Sequence, residues 1–307
     1  MPESPASRPA LLRVRDLELR FGERSYVMGI VNVTPDSFSG DGLLRGTAKA
    51  QTASQAAIAQ ALRMFAEGAD IVDVGGESTR PGHDPVSASD ELERVVMVVS
   101  GIRARLPGVP ISIDTSKPEV AAAALAAGAD IVNDVAGVTA DAALAPIVAD
   151  HGAPYILMHS RAQPVYEDVV AEVIADLDRA LSRAVAGGCD PATLIVDPGI
   201  GFGKTAEQNL AVLGDLAALR SLGRPILLGA SRKSTIGKVL DLPVEERLEG
   251  TLATTALGIA AGADIVRVHD VAANLRTARM SDAIIRGGWR DPEGSGAAPR
   301  GSRTPGT

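Results

Sequence analysis

Aromatic residues are nearly missing from this chain: one tryptophan, three tyrosines and four phenylalanines among 307 residues. With 46% of its residues hydrophobic, the chain must build its core from aliphatic side chains and alanine. Cysteine is equally scarce. A single one, Cys189, excludes an intrachain disulfide framework and suits a reducing cytoplasm. It reads as a small residue in the loop Gly187-Gly188-Cys189-Asp190 rather than a nucleophile, and no partner set suggests a zinc site. Positive charge is not in excess either. Thirty Lys and Arg against 38 Asp and Glu leave a net charge of −8, which gives no general pull toward nucleic acid or a membrane surface. No run reaches the ~18 consecutive apolar residues of a membrane span. Met1–Ala10 lacks the basic-then-apolar order of a signal peptide. The stretch Gly287–Thr307 is Gly, Pro, Ser and Arg with little to bury, and is expected to be a disordered tail.

What the chain does contain is regular. Eight short apolar runs recur: Val27–Asn32, Ile71–Val74, Ile111–Asp114, Ile131–Asn133, Tyr155–Met158, Leu194–Asp197, Ile226–Ala230 and Ile265–Val268. Helical periodicity falls between them, over Thr47–Glu67, Ser89–Arg105, Pro118–Ala127, Asp141–Asp150, Glu167–Ala186, Ala206–Ser221, Glu249–Ala261 and Val271–Arg286. The string Gly-Ala-Asp-Ile-Val occurs three times, at Gly68, Gly128 and Gly262, each time where a helical stretch meets an apolar run. The glycine suits a left-handed helix terminus, and the Ile-Val pair opens a strand buried on both faces. Eight strands alternating with eight helices predict a (β/α)8 TIM barrel, which needs ~250 residues. It is expected as a single domain over 25–286, behind an N-terminal extension, 1–24, whose Leu11–Arg20 segment forms a strand or hairpin covering the barrel bottom. An open doubly wound sheet is the alternative architecture.

Nearly every apolar run ends in a residue capable of chemistry: Asn32, Asp73, Asp114, Asn133, His159, Asp197, Ser231-Arg232-Lys233, and Arg267 with His269. In a barrel those ends form one rim, where active sites lie. Asp114, Asn133 and Asp197 offer acceptors; Asn32, Lys233, Arg267 and His269 suit an anion. Alternation turns Arg267 and His269 to the same side. The expected ligand therefore has a flat ring rich in N–H donors and a phosphorylated tail. A 2-amino-4-oxo pterin offers a carboxylate adjacent ring N–H and amino donors, as a guanidinium does. Asp73 reads as structural or as a support for residues that touch the ligand, since no ligand group is left for it. Two loops flank the rim: Asn32–Gly42, which carries Asp36 and Phe38, and Gly75–Pro81, which carries Thr79, Arg80 and Pro81. The octet Pro198–Thr205 ends like a phosphate-binding loop. Pro198 stands where that pattern requires glycine, so no nucleotide site is expected.

Taken together these segments resemble the dihydropteroate synthase family. The resemblance spans Tyr26 to Arg286 and rests on Met28–Ser39, Asp73–Gly82, Ser112–Thr115, Asn133-Asp134-Val135, Leu157-Met158-His159, Asp197–Phe202, Gly229–Ser234 and Arg267–Asp270, in that order. It implies a cytoplasmic homodimer of (β/α)8 barrels joining 6-hydroxymethyl-7,8-dihydropterin diphosphate to 4-aminobenzoate. By the same resemblance, Asp114, Asn133 and Asp197 bind the pterin, Lys233 contacts its ring, and Met158 and Phe202 pack nearby. Asn32, Arg267 and His269 would take the diphosphate, with Mg²⁺ between Asn32 and the phosphates. Asp36, Phe38, Thr79, Arg80 and Pro81 match loops that build the aminobenzoate pocket, Ser234 would receive its carboxylate, and Asp36 could stabilise a cationic pterin methylene. Ser39-Gly40-Asp41-Gly42 departs from the family's usual Ser-Asp-Gly-Gly order, and Ser160-Arg161-Ala162 stands where many members carry a Gly-containing segment. A corrinoid-partnered methyltransferase shares the barrel and the pterin carboxylate but has no use for a diphosphate clamp. A non-catalytic pterin-binding paralogue would dispense with Asp36, Ser37 and Phe38, which this chain keeps.

Overall fold

Each Gly-Ala-Asp-Ile-Val copy turns a helix into a strand by the same hydrogen bonds. Gly68, Gly128 and Gly262 take left-handed φ values of 99°, 112° and 110°. The following alanine N–H reaches back to the helix, as in Ala69 N to Met64 O, Ala129 N to Ala124 O and Ala263 N to Gly258 O. The aspartate then fastens the neighbouring strand. Its carboxylate accepts the N–H of Val27, Ile111 or Ile226 at 2.9–3.0 Å. Its own N–H donates to the carbonyl of that same residue. The repeated Asp is thus a strand clasp, a role that spacing alone does not reveal.

The structure, a computed structural model, describes residues 9–33, 47–77, 86–138 and 143–287, with 47–52 described by backbone only. An antiparallel hairpin, β1 (Leu11–Val14) and β2 (Leu17–Arg20), comes first. There follow β3 (Tyr26–Asn32), α1 (Thr47–Ala66), β4 (Ile71–Gly75), α2 (Ala88–Arg105), β5 (Ile111–Asp114), α3 (Pro118–Ala126), β6 (Ile131–Asp134), α4 (Leu144–His151), β7 (Tyr155–Met158) and α5 (Val169–Ala186). The chain continues through β8 (Leu194–Asp197), α6 (Ala206–Gly214), β9 (Leu227–Leu228), α7 (Ser234–Leu240), α8 (Leu248–Ala261), β10 (Ile265–Val268) and α9 (Val271–Arg286). Strands β3 to β8 lie side by side in parallel, with β10 and then β9 on the far side of β3. A parallel bridge between Val196 and Ile226 brings β8 against β9 and closes the ring.

Three elements differ from the sequence reading. The seventh run, expected over Ile226–Ala230, pairs with β10 only at Leu227 and Leu228, because the chain then leaves the sheet to shape the rim. The helix expected over Ala206–Ser221 stops at Gly214 and resumes as a 3₁₀ turn, Leu216–Leu222. Between β9 and α8 the short helix α7 is an addition to the alternation. The expected tail from 288 onward lies outside the described residues.

Period-two alternation divides the strands. Val27, Val31, Val72, Val74, Val132, Leu157, Val196 and Val266 face outward and pack with the helices in one large apolar cluster. Met28, Ile71, Ile131, Ile156, Ile195, Leu227 and Ile265 face inward and form a second cluster with the hairpin's Leu12, Val14 and Leu19. So the hairpin does plug the barrel bottom. Toward the C-terminal ends of five of the strands the inward residue is polar: Asp73, Asp114, Asn133, Asp197 and Arg267. Among the described residues, no helix is long and apolar enough to cross a membrane.

Candidate active site

Inside the mouth, Arg267 is held between two carboxylates. Its Nε donates to Asp73 Oδ2 at 2.6 Å and its Nη2 to Asp114 Oδ2 at 2.5 Å. The same Asp73 oxygen accepts Asn133 Nδ2 at 3.2 Å. Burial works against the Arg267 charge, but Asp73 and Asp114 outweigh it and hold the guanidinium firmly protonated. Asp114 is pushed up to about 7 by burial, with Arg267 opposing. Asp73 is fully buried, and its Oδ1 has no hydrogen-bond partner among the described residues. The structure agrees with a supporting role for Asp73 and says what it supports: one oxygen, Oδ2, holds both Asn133 and Arg267. Alternation could have found it, since Asp73 follows the inward Ile71 by two. Arg267, expected with the diphosphate, spans both halves of the site.

Asp197 lies across the mouth. Its Oδ1 accepts Gly199 N–H at 2.7 Å. Gly229 leaves the other oxygen uncovered, for a Cβ at 229 would stand 3.5 Å from Asp197 Oδ2. Burial raises the Asp197 pKa, and Lys233 and Arg267 counter only part of that. The Lys233 ammonium sits 4.0 Å from the centre of the Phe202 ring, a cation–π contact. Burial, reinforced by Arg267, lowers Lys233 to about 8. Met158 is buried at the end of β7.

The His269 side of the mouth is organised by Ser231, a rim residue to which the sequence assigns no separate role. Its Oγ accepts the backbone N–H of His269 at 3.2 Å and lies 3.0 Å from His269 Nδ1. A Ser231 hydroxyl that donates to Nδ1 places the ring proton on Nε2, whereas one that accepts there places it on Nδ1. Burial, with Arg267 close by, lowers His269 to about 4, so the ring is neutral at pH 7 and offers an N–H. Arg232 shapes the rim in a left-handed conformation, φ 56°, that non-glycine residues seldom adopt. Three ties hold it there: its guanidinium on Asp270 at 2.9 and 2.6 Å, its N–H on Thr251 Oγ1, and Arg247 Nη1 on its carbonyl. Lys233 and Ser234 follow at the start of α7.

Asn32, Lys233, Ser234, Arg267 and His269 line one cavity of about 420 Å³, open to solvent. Asp114, Asn133 and Asp197 stand on the same barrel rim, reached through Arg267. Asp36, Phe38, Thr79, Arg80 and Pro81 lie outside the described residues. Among the described residues, no group of three or more His, Cys, Asp or Glu is placed to hold a metal. Asn32 offers one amide beside a cationic wall, an arrangement that fits Mg²⁺ only where phosphate oxygens complete its shell.

The octet Pro198–Thr205 inverts the phosphate-loop arrangement. Lys204 Nζ donates to the carbonyls of Gly199 and Phe202 at 3.0 and 3.1 Å and to His159 Nδ1 at 2.8 Å, so all three of its hydrogens are engaged. Gly199 has φ 65°, and a Cβ there would fall 1.7 Å from His159 O. The glycine admits a neighbouring loop rather than a phosphate.

A parallel barrel whose mouth gathers a buried carboxylate, Asp197, with the cationic Lys233 and Arg267 defines a class. Residues 28–269 match the family described as pterin binding enzyme, and the chain belongs to it. Within that class, its similarity is to dihydropteroate synthases. It is 45% identical over 276 residues to that of Clostridium beijerinckii, covering 90% of this chain and 100% of the relative. The Bacillus subtilis protein is 45% identical over 288 residues, covering 94% and 98%. Among solved structures, the Clostridium difficile dihydropteroate synthase in the presence of pteroic acid superposes with a TM-score of 0.81 at 47% identity, covering 87% of this chain and 98% of that one. The Xanthomonas albilineans enzyme in complex with 7,8-dihydropteroate gives 0.77 at 42%, covering 86% and 94%.

Proposed function

We propose that this chain is a dihydropteroate synthase, joining 6-hydroxymethyl-7,8-dihydropterin diphosphate to 4-aminobenzoate with release of diphosphate. One observation carries the reading: a buried carboxylate, Asp197, spends one oxygen on the Gly199 N–H, while Lys233, Arg267 and His269 line a cavity suited to an anion. Asp197 takes the ring N–H and amino donors of the pterin. Asp114 and Asn133 read its remaining edge, Lys233 contacts its ring, and Phe202 packs nearby against Lys233. The methylene C–O bond breaks as charge grows on the departing diphosphate, which Arg267 and, as its Nε2–H tautomer, His269 stabilise. The arylamine nitrogen then attacks the methylene carbon, forms the C–N bond and loses one proton. Bound Mg²⁺, beside Asn32, would neutralise part of the diphosphate charge. Ser234 receives the aminobenzoate carboxylate, and the Asp36 carboxylate, by family resemblance, stabilises the cationic methylene. No covalent enzyme nucleophile is required.

The test mixes the protein, Mg²⁺, the pterin diphosphate and 4-aminobenzoate. Dihydropteroate and diphosphate should appear in equal amounts. Pterin binding without turnover would overturn the synthase reading in favour of a non-catalytic paralogue.

We further propose a homodimer in the cytoplasm. Apolar side chains stand exposed on the last helices: Val239 and Leu240 on α7, Leu257 on α8, and Met280, Ile284 and Ile285 on α9. Large exposed apolar patches mark partner surfaces, and a second copy of this chain is the partner proposed. Combining Leu257→Asp with Ile284→Asp should halve the mass seen by sedimentation. An unchanged mass would move the interface elsewhere. A cytoplasmic location rests on Cys189, a lone buried thiol.

A further inference from the structure

The half-buried lysine of the phosphate-loop lookalike has no role in the chemistry above, yet it touches the pterin side through two residues. We propose that Lys204 is a positioning residue for pterin recognition: it ties the loop after β8 into the shape that presents Asp197 and Phe202 to the ring. This inference rests on the function proposed above.

The geometry is that of an internal hub. The carbonyls of Gly199 and Phe202 converge on one ammonium at 3.0 and 3.1 Å. The Gly199 carbonyl belongs to the residue whose N–H holds Asp197 Oδ1 at 2.7 Å. The Phe202 carbonyl belongs to the residue whose ring lies 4.0 Å from Lys233 Nζ. Both contacts with the ring-binding groups thus hang from residues that Lys204 holds by their oxygens.

The third partner anchors the hub to the barrel. His159 follows β7, is fully buried, and its backbone N–H donates to Asp197 O at 2.9 Å. His159 Nε2 lies 3.0 Å from Asp176 Oδ2. Burial first, then the Lys204 charge, lowers His159 to about 4, so the ring is neutral. A neutral ring that donates from Nε2 to Asp176 accepts at Nδ1, where Lys204 donates. Asp176 is fixed in turn by Arg161 Nε at 2.8 Å. From the other side, Asn209 Oδ1 accepts Gly201 N–H, and Asn209 Nδ2 donates to the Thr205 carbonyl. The loop is therefore braced at both ends, with Lys204 at the centre. Burial lowers Lys204 to about 7, opposed by Asp197; in its protonated form Lys204 favours the ionised Asp197 that pterin donors require.

Lys204→Met keeps chain length and removes the charge and all three donors. In the full-length protein, the KM for the pterin diphosphate should rise roughly 10- to 100-fold, the range for losing hydrogen bonds from a charged group. The KM for 4-aminobenzoate and kcat should stay within about threefold. Phe202→Leu should raise the pterin KM alone, and the double variant should show less than the product of the two effects, because both act on one contact. Should Lys204→Met not fold, Lys204→Gln supplies the same test: two N–H donors kept, charge lost, and a smaller rise confined to the pterin. An unchanged pterin KM in the folded variant overturns the proposal. So does an equal loss for both substrates, the mark of general loosening, or full multiplicativity with Phe202→Leu. A wild-type chain that forms no dihydropteroate sinks the function reading and this inference with it, whereas an active wild type with a silent Lys204→Met sinks this inference alone.

Discussion

Asp197→Ala should weaken pterin binding roughly 10²- to 10⁴-fold, beyond what a calorimetric titration at micromolar protein detects, while leaving the barrel folded. A pterin places two adjacent N–H donors on this carboxylate, and each hydrogen bond to a charged group is worth about 1.5–3 kcal/mol. Nothing in the described structure replaces them. Asp114 is engaged by Arg267, and Asn133 by Asp73. Stability should change little, and the sign follows from the pKa. Burial raises the Asp197 pKa in the fold, so folding favours the protonated form. The stability it lends at low pH is lost as pH rises from the unfolded carboxyl value to the folded one. At neutral pH the ionised carboxylate subtracts from stability, and alanine removes that cost. Against this stands one orphaned donor, the Gly199 N–H. Normal pterin affinity in a folded Asp197→Ala protein would show that the ring is read elsewhere. Loss of the fold would show that Asp197 acts on the barrel instead of the ligand.

How much of this could be seen without coordinates depends on which residues act through periodicity and which through contact. The eight strands were visible because a strand buried on both faces reads as a short apolar run, and because Gly68, Gly128 and Gly262 punctuate each junction alike. The rim was visible because polarity returns where those runs end. What escaped is local and depends on direction. Asp73 looked like one more strand residue; only the inward turn of alternate side chains places its carboxylate against Arg267 and Asn133. Ser231 stood on the rim with no separate role, because its work is to aim another residue, His269, through a single oxygen. Asp70 and Asp130 were read as part of a repeated string, while their work is on the neighbouring strand. Lys204 sits in a stretch that ends like a phosphate-binding loop. Its actual partners are backbone oxygens of its own loop and a histidine 45 positions earlier in the chain, which no local pattern announces. The short β9 follows the same logic: an apolar run predicts burial, but not that Gly229 and Ala230 must leave the ladder to uncover Asp197.

Asp73 carries the second large effect. Asp73→Ala should lower kcat/KM roughly 10²- to 10³-fold, because removing one partner of a buried ion pair typically costs about 3–5 kcal/mol. Asp73→Asn should lose far less. A single oxygen, Oδ2, accepts from both Arg267 Nε and Asn133 Nδ2, and an asparagine oxygen at that position keeps both bonds while giving up the charge. What the amide cannot supply is the balance around Arg267. With Asp73 neutral, Asp114 is the guanidinium's sole remaining carboxylate among its described partners. The repulsion from Asp73 that helps to raise the Asp114 pKa is gone, so Asp114 binds Arg267 more tightly. That draws Arg267 toward the pterin side and away from the departing diphosphate. The asparagine variant should therefore show its loss chiefly in kcat, with the KM for 4-aminobenzoate unchanged. The alanine variant, which frees Asn133 and Arg267 together, should also raise the KM for the pterin diphosphate. Equal losses in the two variants would mean that the charge of Asp73, and not the oxygen it holds between two donors, is what the site uses. No loss in either would return Asp73 to a purely structural role.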